Sequence, residues 1–148
     1  MPVGDRNDPF RAYNYRVEID NTTVAAFSEA NGLTATIEQT EYRNGTDPMH
    51  PRKLSAKRTF NNITLKRGYT NSSDLYEWYA VGLNGSVERR NGAIILQDED
   101  RNEVLRWNFN EGWICKYEGA MMNATSNDVA IESIEICVEL VELEFLGA

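Results

Sequence analysis

Residues 128–145 read DVAIESIEICVELVELEF, and this stretch decides the fold class. Every second residue from Ile134 to Leu140 is apolar, and the residues between them are mixed. This pattern is typical of a strand with one face on a core and the other toward water. From Val141 to Phe145 the apolar residues have the opposite parity. Because a one-residue slip exchanges the two faces of a strand, we expect a bulge or bend near Leu140 and Val141.

Shorter alternating runs fill most of the remaining chain. We predict strands at 12–19, 24–29, 33–42, 59–66, 92–98, 103–109 and 113–118. One amphipathic helix is predicted to begin at Asp74 and to end near Gly82 and Gly85. Many short antiparallel strands with one flanking helix indicate a mainly β fold, a small barrel or sandwich. A length of 148 residues is that of a single domain, 1–148.

The charge of the chain is low overall but unevenly distributed. The formal net charge is −8, which argues against a protein whose main task is gripping nucleic acid phosphates. Residues 43–67 carry seven bases and one acid, for a net charge of +6, whereas residues 117–148 carry seven acids and no base. Either these are two solvated faces, or the basic segment of one copy meets the acidic segment of another. Head-to-tail contacts of the second kind build rings or filaments.

Residues 43–57 have no period and contain two prolines, so a long loop is predicted there. Loops of this length in a compact domain are uncommon and are usually functional or disordered. The segment suits an arm that reaches a neighbouring copy. Its candidate residues for contacts between subunits or between stacked rings are Arg43, Arg52, Lys53, Lys57 and Arg58. Their candidate acidic partners, or alternatively charges lining a lumen, are Glu132, Glu135, Glu139, Glu142 and Glu144.

The sequence offers no arrangement for catalysis, metal binding or cofactor binding. His50 is the single histidine and lies in the irregular 43–57 segment, a poor place to fix a catalytic base. Cys115 and Cys137 are far apart in sequence and are predicted to be buried free thiols. No phosphate-binding glycine loop is present. No apolar run is long enough to span a bilayer, and the first eight residues lack the apolar core of a secretory signal.

Several short stretches, in order along nearly the whole chain, resemble the tail tube proteins of contractile phages and of phage-tail-like injection systems. They are residues 8–20 (DPFRAYNYRVEID), 26–33 (AFSEANGL), 38–45 (EQTEYRNG), 62–68 (NITLKRG), 74–78 (DLYEW) and 123–135 (NATSNDVAIESIE). Each stretch is short, and the ordered set carries the resemblance. The segment 45–55 departs from the family pattern, which leaves the residues of inter-ring contact unassigned.

The resemblance implies a β-barrel with a flanking helix that assembles into six-membered rings. Rings stack into a hollow tube, inside a contractile sheath and on a baseplate, and tube-terminating proteins close it. The implied cargo is DNA or an effector protein, and an acidic lumen would let DNA slide without sticking. No cofactor and no membrane anchor are implied. The implied localisation is assembly in the bacterial cytoplasm, then a phage tail or an injection particle.

Two other classes of function stay open from the residues alone. A small β-barrel enzyme would need a convergent polar site, and no such set can be named. A monomeric binding module, for instance for a carbohydrate, would use exposed Trp107 or Trp113. Core packing is the ordinary role of tryptophans in such strands.

Overall fold

Short antiparallel strands and one helix make up the chain. The computed structural model describes residues 9–12, 14–24, 27–42, 45, 52–125 and 127–146. Within these residues, the strands are β1 (Tyr15–Ile19), β2 (Thr22–Val24), β3 (Glu29–Asn31), β4 (Ala35–Tyr42), β5 (Arg52–Phe60), β6 (Ile63–Gly68), β7 (Arg90–Gln97), β8 (Glu103–Glu118), β9 (Ile131–Cys137) and β10 (Leu140–Phe145). Helix α1 (Asp74–Val81) follows β6 and runs into a 3-10 turn, Gly82–Asn84.

Eight of these strands form one bent sheet. Their order is β2-β1-β7-β8-β9-β6-β3, and β10 pairs with β8 beside β9. The remaining strands, β4 and β5, form a separate hairpin. β2 and β3 stand at the two ends of the order, so the described strands do not close a barrel. The predicted class is confirmed: antiparallel β-structure with one flanking helix.

One apolar core lies between the two halves of the bent sheet. β1 and β7 contribute Val17 and Ile94 from one half, and β6 and β9 contribute Leu65 and Ile134 from the other. The helix adds Leu75 and Trp78 to the same cluster. Because both halves bury side chains in one cluster, the sheet is folded over its own core. This burial of alternate residues is what the period-two pattern predicted.

Two local features fix the register of the first strands. Asp20 and Asn21 both have positive φ, at 53° and 63°, as a two-residue hairpin turn requires. Gly92 on β7 lies against the ring of Phe109 and the backbone of β1. A Cβ on Gly92 would be 2.4 Å from Phe109 Cζ and 2.6 Å from the Glu18 carbonyl oxygen. Only glycine lets these two strands and the ring approach this closely.

The structure differs from the sequence-based prediction at four places. Residues 52–57, predicted as part of a loop, are the first part of β5; residues 43, 44 and 46–51 lie outside the described chain. The two strands predicted at 103–109 and 113–118 are one long strand, β8. The bend predicted near Leu140 and Val141 lies just before β10, after Cys137. The strand predicted at 24–29 is divided between β2 and β3.

Candidate assembly interface

The β4–β5 hairpin projects from one end of the molecule. β3 and β6 are antiparallel neighbours in the sheet, and the hairpin leaves them where Asn31 and Thr64 are paired. Its base is the pair Ala35 and Phe60, and the pair farthest from the sheet is Tyr42 and Arg52. Every residue of β4 and all but the last two of β5 are exposed. Among the described strands, β4 and β5 pair only with each other.

Four of the five predicted basic contact residues lie on β5 of this hairpin. They are Arg52, Lys53, Lys57 and Arg58. Lys53 is paired with Glu41 and Arg58 with Ile37 across the hairpin. Paired residues lie on the same face, and a bulge adds one residue to β5 between Ser55 and Arg58. Lys53 and Arg58 therefore share one face, and Arg52 lies on the other with Tyr42. The fifth predicted residue, Arg43, lies outside the described residues.

Three of the predicted acidic residues lie on or next to β10. Glu139 precedes the strand and accepts a hydrogen bond from Arg89 at 3.1 Å. Glu142 and Glu144 share one face of β10 and are exposed. β10 pairs with β8 along one edge, and no described strand pairs with its other edge. An acidic sheet edge is therefore open in the single chain.

The other two predicted acidic residues, on β9, are engaged within the chain. Glu135 accepts a hydrogen bond from Asn62 Nδ2 at 2.8 Å. Glu132 is only 3% exposed and is held by an arginine of β6. Its carboxylate is therefore not available to a second copy or to a lumen. Burial removes only Glu132 from the acidic set, and the candidates that are not buried are Glu135, Glu139, Glu142 and Glu144.

A buried ionic cluster, which the sequence reasoning missed, ties β6, β8, β9 and α1 together. Arg67 is 2% exposed, and its Nε donates to Glu132 Oε1 at 2.5 Å. Its Nη2 donates to Asp74 Oδ1 at the start of α1. Tyr117 on β8 donates its hydroxyl to Glu132 Oε2 at 2.7 Å and lies 2.9 Å from the Tyr69 hydroxyl. The cluster fixes the helix to the sheet.

The pKa values of the cluster follow from these contacts. Burial opposes the charged form of Arg67, but hydrogen bonds and charges from Asp74 and Glu132 outweigh it and raise its pKa. Burial works to raise the pKa of Asp74, and bonds from Arg67 and Ser72 lower it overall. Burial and the bonds to Tyr69 and Glu132 raise the pKa of Tyr117 well above its usual range. The cluster thus holds Arg67 and Asp74 charged and Tyr117 protonated.

Strand parity is the signal that would have found this pair from sequence. Arg67 continues the inward-facing series of Ile63 and Leu65 on β6. Glu132 begins the inward-facing series of Ile134 and Ile136 on β9. A base and an acid at inward positions of two strands must pair with each other or with another polar group.

The described residues hold no cluster of side chains suited to binding a metal ion. In them, no three or more His, Cys, Asp or Glu side chains are arranged to hold a metal ion, and His50 lies outside them. Cys115 and Cys137 are free, as predicted, but Cys115 is exposed rather than buried. The Cys115 thiol donates a hydrogen bond to the Glu135 carbonyl at 3.4 Å. Burial, with the nearby Cys137 thiol, raises the pKa of Cys115 to about 12. No helix of the described chain is long and apolar enough to cross a membrane.

Comparison with known families accounts for this arrangement. A family model of the T4-like virus tail tube protein gp19 matches residues 11–142. The chain belongs to this tail tube family. The resemblance found in the sequence is thereby confirmed, and the protein is a structural tube subunit. Among curated proteins, none matches the sequence of this tail tube protein.

Solved structures similar to this tail tube protein come from contractile injection systems. A chain of the anti-feeding prophage tube-terminating cap has a TM-score of 0.85 and 25% identity, over 99% of this chain and 100% of that one. A chain of the anti-feeding prophage baseplate has a TM-score of 0.86 and 22% identity, over 95% and 98%. A chain of the PVC sheath–tube complex of an extracellular contractile injection system has a TM-score of 0.82 and 23% identity, over 93% of each.

Proposed function

We propose that this tail tube protein assembles into hexameric rings that stack into the inner tube of a contractile tail or injection particle. One observation carries the proposal. The basic hairpin β4–β5 and the acidic strand β10 are both exposed, and both have sheet edges that no described strand covers. Such edges are sticky in a free monomer, and pairing between copies satisfies their backbone groups.

The two surfaces lie at the same end of the sheet, which favours a ring. β6 and β9 are antiparallel, with Ile63 paired to Ile136, so β9 leads into β10 at the end where β6 begins. The hairpin leaves the sheet at that end as well. When copies stand side by side at one level, the hairpin of each meets β10 of the next. Repeated head to tail, this contact closes a ring whose strands run across subunits.

Charge reinforces the edge pairing and sets its direction. Arg52, Lys53, Lys57 and Arg58 on the hairpin face Glu139, Glu142 and Glu144 of the neighbour. Each exposed ion pair contributes only about 0–1 kcal/mol. Around a ring and along a tube the pairs repeat, and they disfavour contacts between two hairpins or between two β10 strands. The acidic side chains that stay unpaired are left to line the lumen.

The partners and the location follow from the relatives. The similar chains belong to a sheath–tube complex, a baseplate and a tube-terminating cap. We infer that this subunit contacts a sheath, a baseplate and a cap of its own particle, assembles in the bacterial cytoplasm, and conducts DNA or an effector protein. We also infer that its role is structural rather than enzymatic. Membership of the tail tube family supports that inference.

Reciprocal charge reversal tests the ring contact. We expect Lys53→Glu with Arg58→Glu to abolish rings in negative-stain micrographs and to leave a monomer by sedimentation. Glu142→Lys with Glu144→Lys should do the same, because each variant sets like charges against each other. Combining all four substitutions restores opposite charges and should restore rings. Arg11→Glu with Arg101→Glu is the matched control, since both arginines are exposed and belong neither to the hairpin nor to β10.

Two outcomes would contradict the proposal. A wild-type protein that stays monomeric at every concentration, in the presence of sheath protein, would exclude the tube. Rings formed normally by both reversed proteins would exclude the hairpin–β10 contact. The near-ultraviolet circular dichroism of each variant, compared with the wild type, separates lost contact from lost fold.

A further inference from the structure

The two cysteines of the chain are far apart in sequence but lie on neighbouring strands and on the same face. Cys137 on β9 is paired with Trp113 on β8, and Ile136 is paired with Ile114. Ile114 and Ile136 are buried in the core. Cys115 and Cys137 each follow one of these isoleucines, so both turn to the face that points away from the core. Cys115 is exposed there and Cys137 is half-buried.

A bulge in β8 shortens the distance between the two cysteines. In a regular antiparallel ladder Cys115 would stand diagonal to Cys137, and the α-carbons of diagonal neighbours are about 7–8 Å apart. A disulfide needs α-carbons about 4.4–6.8 Å apart. Here Lys116, rather than Cys115, is paired with Glu135. Cys115 is therefore an extra residue between two rungs of the ladder, which brings it closer to Cys137.

The sulfur of Cys115 lies over β9, at the level of Cys137. It donates a hydrogen bond to the Glu135 carbonyl at 3.4 Å and accepts one from Asn62 Nδ2 at 3.8 Å. β6 pairs with the far edge of β9, and Asn62, just before β6, is level with Cys137. A sulfur that reaches both Glu135 and Asn62 has crossed β9 beside Cys137. The Cys137 thiol is close enough to contribute, with burial, to the raised pKa of Cys115.

We propose that Cys115 and Cys137 are a disulfide site, where a low-molecular-weight disulfide such as oxidised glutathione converts two free thiols into a cross-link between β8 and β9. A reducing cytoplasm keeps such thiols free, and an oxidising environment closes the bond. The inference stands apart from the proposed function, because the chemistry takes place within one chain.

The reaction consists of two thiol–disulfide exchanges. The Cys115 thiolate attacks one sulfur of oxidised glutathione, which forms a mixed disulfide and releases one glutathione thiolate. The Cys137 thiolate then attacks the Cys115 sulfur, so that the protein disulfide forms and the second glutathione leaves. Two protein thiols are oxidised, one glutathione disulfide is reduced, and both protons pass to the released thiolates. The raised pKa of Cys115 makes the first step slow, but it does not prevent completion.

The cross-link closes residues 115–137 into a loop and limits the freedom of the unfolded chain. It also joins β8 to β9 at the bulge, where the ladder between them is irregular. We expect the urea midpoint of the oxidised protein to lie roughly 1–2 M above that of the same protein kept in dithiothreitol.

Mass spectrometry of the purified wild-type protein tests the site. The protein is incubated overnight with oxidised glutathione in a mildly alkaline buffer and then alkylated with iodoacetamide in denaturant. We expect a chain lighter by two hydrogen atoms than the reduced chain, with no alkylated thiol. Peptide mapping should join the peptides of Cys115 and Cys137, and a non-reducing gel should show single chains.

Cys115→Ser with Lys116→Cys is the matched control. It keeps two thiols and moves one of them out of the bulge to the position paired with Glu135, diagonal to Cys137 and on the same face. Because diagonal α-carbons are too far apart for a disulfide, the control should carry glutathione on its thiols. Its yield of internal disulfide should be roughly tenfold or more below that of the wild type.

The outcomes decide the inference whether or not the protein assembles. An internal disulfide in the wild type, with little in the control, would support the site. A wild-type chain that carries only glutathione, or that is joined to other chains, would overturn it. Equal internal bonding in both proteins would overturn the role of the bulge, and an unchanged urea midpoint would overturn the stabilising cross-link. A protein that closes the bond but never forms rings would contradict the proposed function alone.

Discussion

Removal of one partner from the buried Arg67–Glu132 pair should be far more damaging than removal of both. We consider Arg67→Met, which keeps the length of the side chain and removes its charge. Both residues are at most 3% exposed, and 2.5 Å separates Arg67 Nε from Glu132 Oε1. The variant leaves a buried carboxylate whose remaining partner is the Tyr117 hydroxyl. Loss of one partner of such a pair typically destabilises a protein by about 3–5 kcal/mol.

The expected loss is a large part of the total stability. Domains of this size have a free energy of unfolding of about 5–15 kcal/mol, so a loss of about 4 kcal/mol removes a quarter or more of it. If the free energy of unfolding falls by about 2 kcal/mol for each molar of urea, the urea midpoint should fall by about 2 M. Arg67→Met with Glu132→Leu removes both charges and fills the space with apolar groups. Apolar replacement of a whole buried pair is often neutral, so the double variant should lie within about 1 kcal/mol of the wild type.

Urea unfolding followed by tryptophan fluorescence measures these differences. Buried Trp78 reports on the core, because it projects from α1 into the apolar cluster and donates its indole N–H to the Glu88 carbonyl at 2.8 Å. Samples must be dilute enough that all variants sediment as monomers, since assembly itself stabilises the fold. A double variant as unstable as Arg67→Met would refute the reasoning, because an unpaired buried charge would then not be the cause. A single variant with a wild-type midpoint would refute it as well.

Three further predictions concern single positions. The lowered pKa of Asp74 stabilises the fold at pH values above the ordinary pKa of 3.8, and this contribution is lost as pH falls through the lowered pKa. The urea midpoint of Asp74→Asn should therefore lie below that of the wild type at pH 7, and the two midpoints should lie closer together at pH 3. Gly92→Ala places a methyl group against Phe109 and should lower the free energy of unfolding by about 2 kcal/mol. This corresponds to a fall of about 6 °C in the melting temperature. Glu111 has a φ of 57°, in the left-handed region that strains a residue with a side chain. Glu111→Gly should remove about 1 kcal/mol of this backbone strain and raise the melting temperature by about 3 °C.

Each of these predictions has a contrary result. An Asp74→Asn midpoint that stays equally far below the wild type at both pH values would remove the titration of Asp74 as the cause. An unchanged melting temperature for Gly92→Ala would mean that β1 and Phe109 move apart freely. A lower melting temperature for Glu111→Gly would mean that the flexibility of glycine outweighs the relief of strain at this position.

Half-buried strands were predictable from sequence because burial of one face imposes period two. β1, β6 and β9 show this pattern and were found. The sequence pattern divided the long strand β8 in two because Glu111 and Gly112 interrupt the alternation. Glu111 has a positive φ at this point of the strand. The bend between β9 and β10 was expected near its true place, since the exchange of parity there has a physical cause.

The candidate site was predictable only in part, for two different reasons. The basic residues of β5 were singled out by their charge; the structure places them on the exposed hairpin, and their contact role stays a prediction. The buried state of Glu132 was missed because its partner, Arg67, is 65 residues away in sequence. Charge alone does not separate an exposed acid from a paired buried one; the parity of the strand does.

The first part of β5, which the sequence pattern did not predict as a strand, is also the part that is exposed on both faces in the single chain. Residues 52–57 lack alternation because neither face of β5 is buried in the single chain. A two-stranded hairpin of this kind is at best marginally stable in water, and β4–β5 receives little support from its own chain. Under the proposed function, we expect its stable form to depend on contacts from other copies. The missing period-two pattern in an otherwise well-patterned β-protein is then itself a sign of assembly, because the surface that orders the strand would belong to the neighbouring subunit.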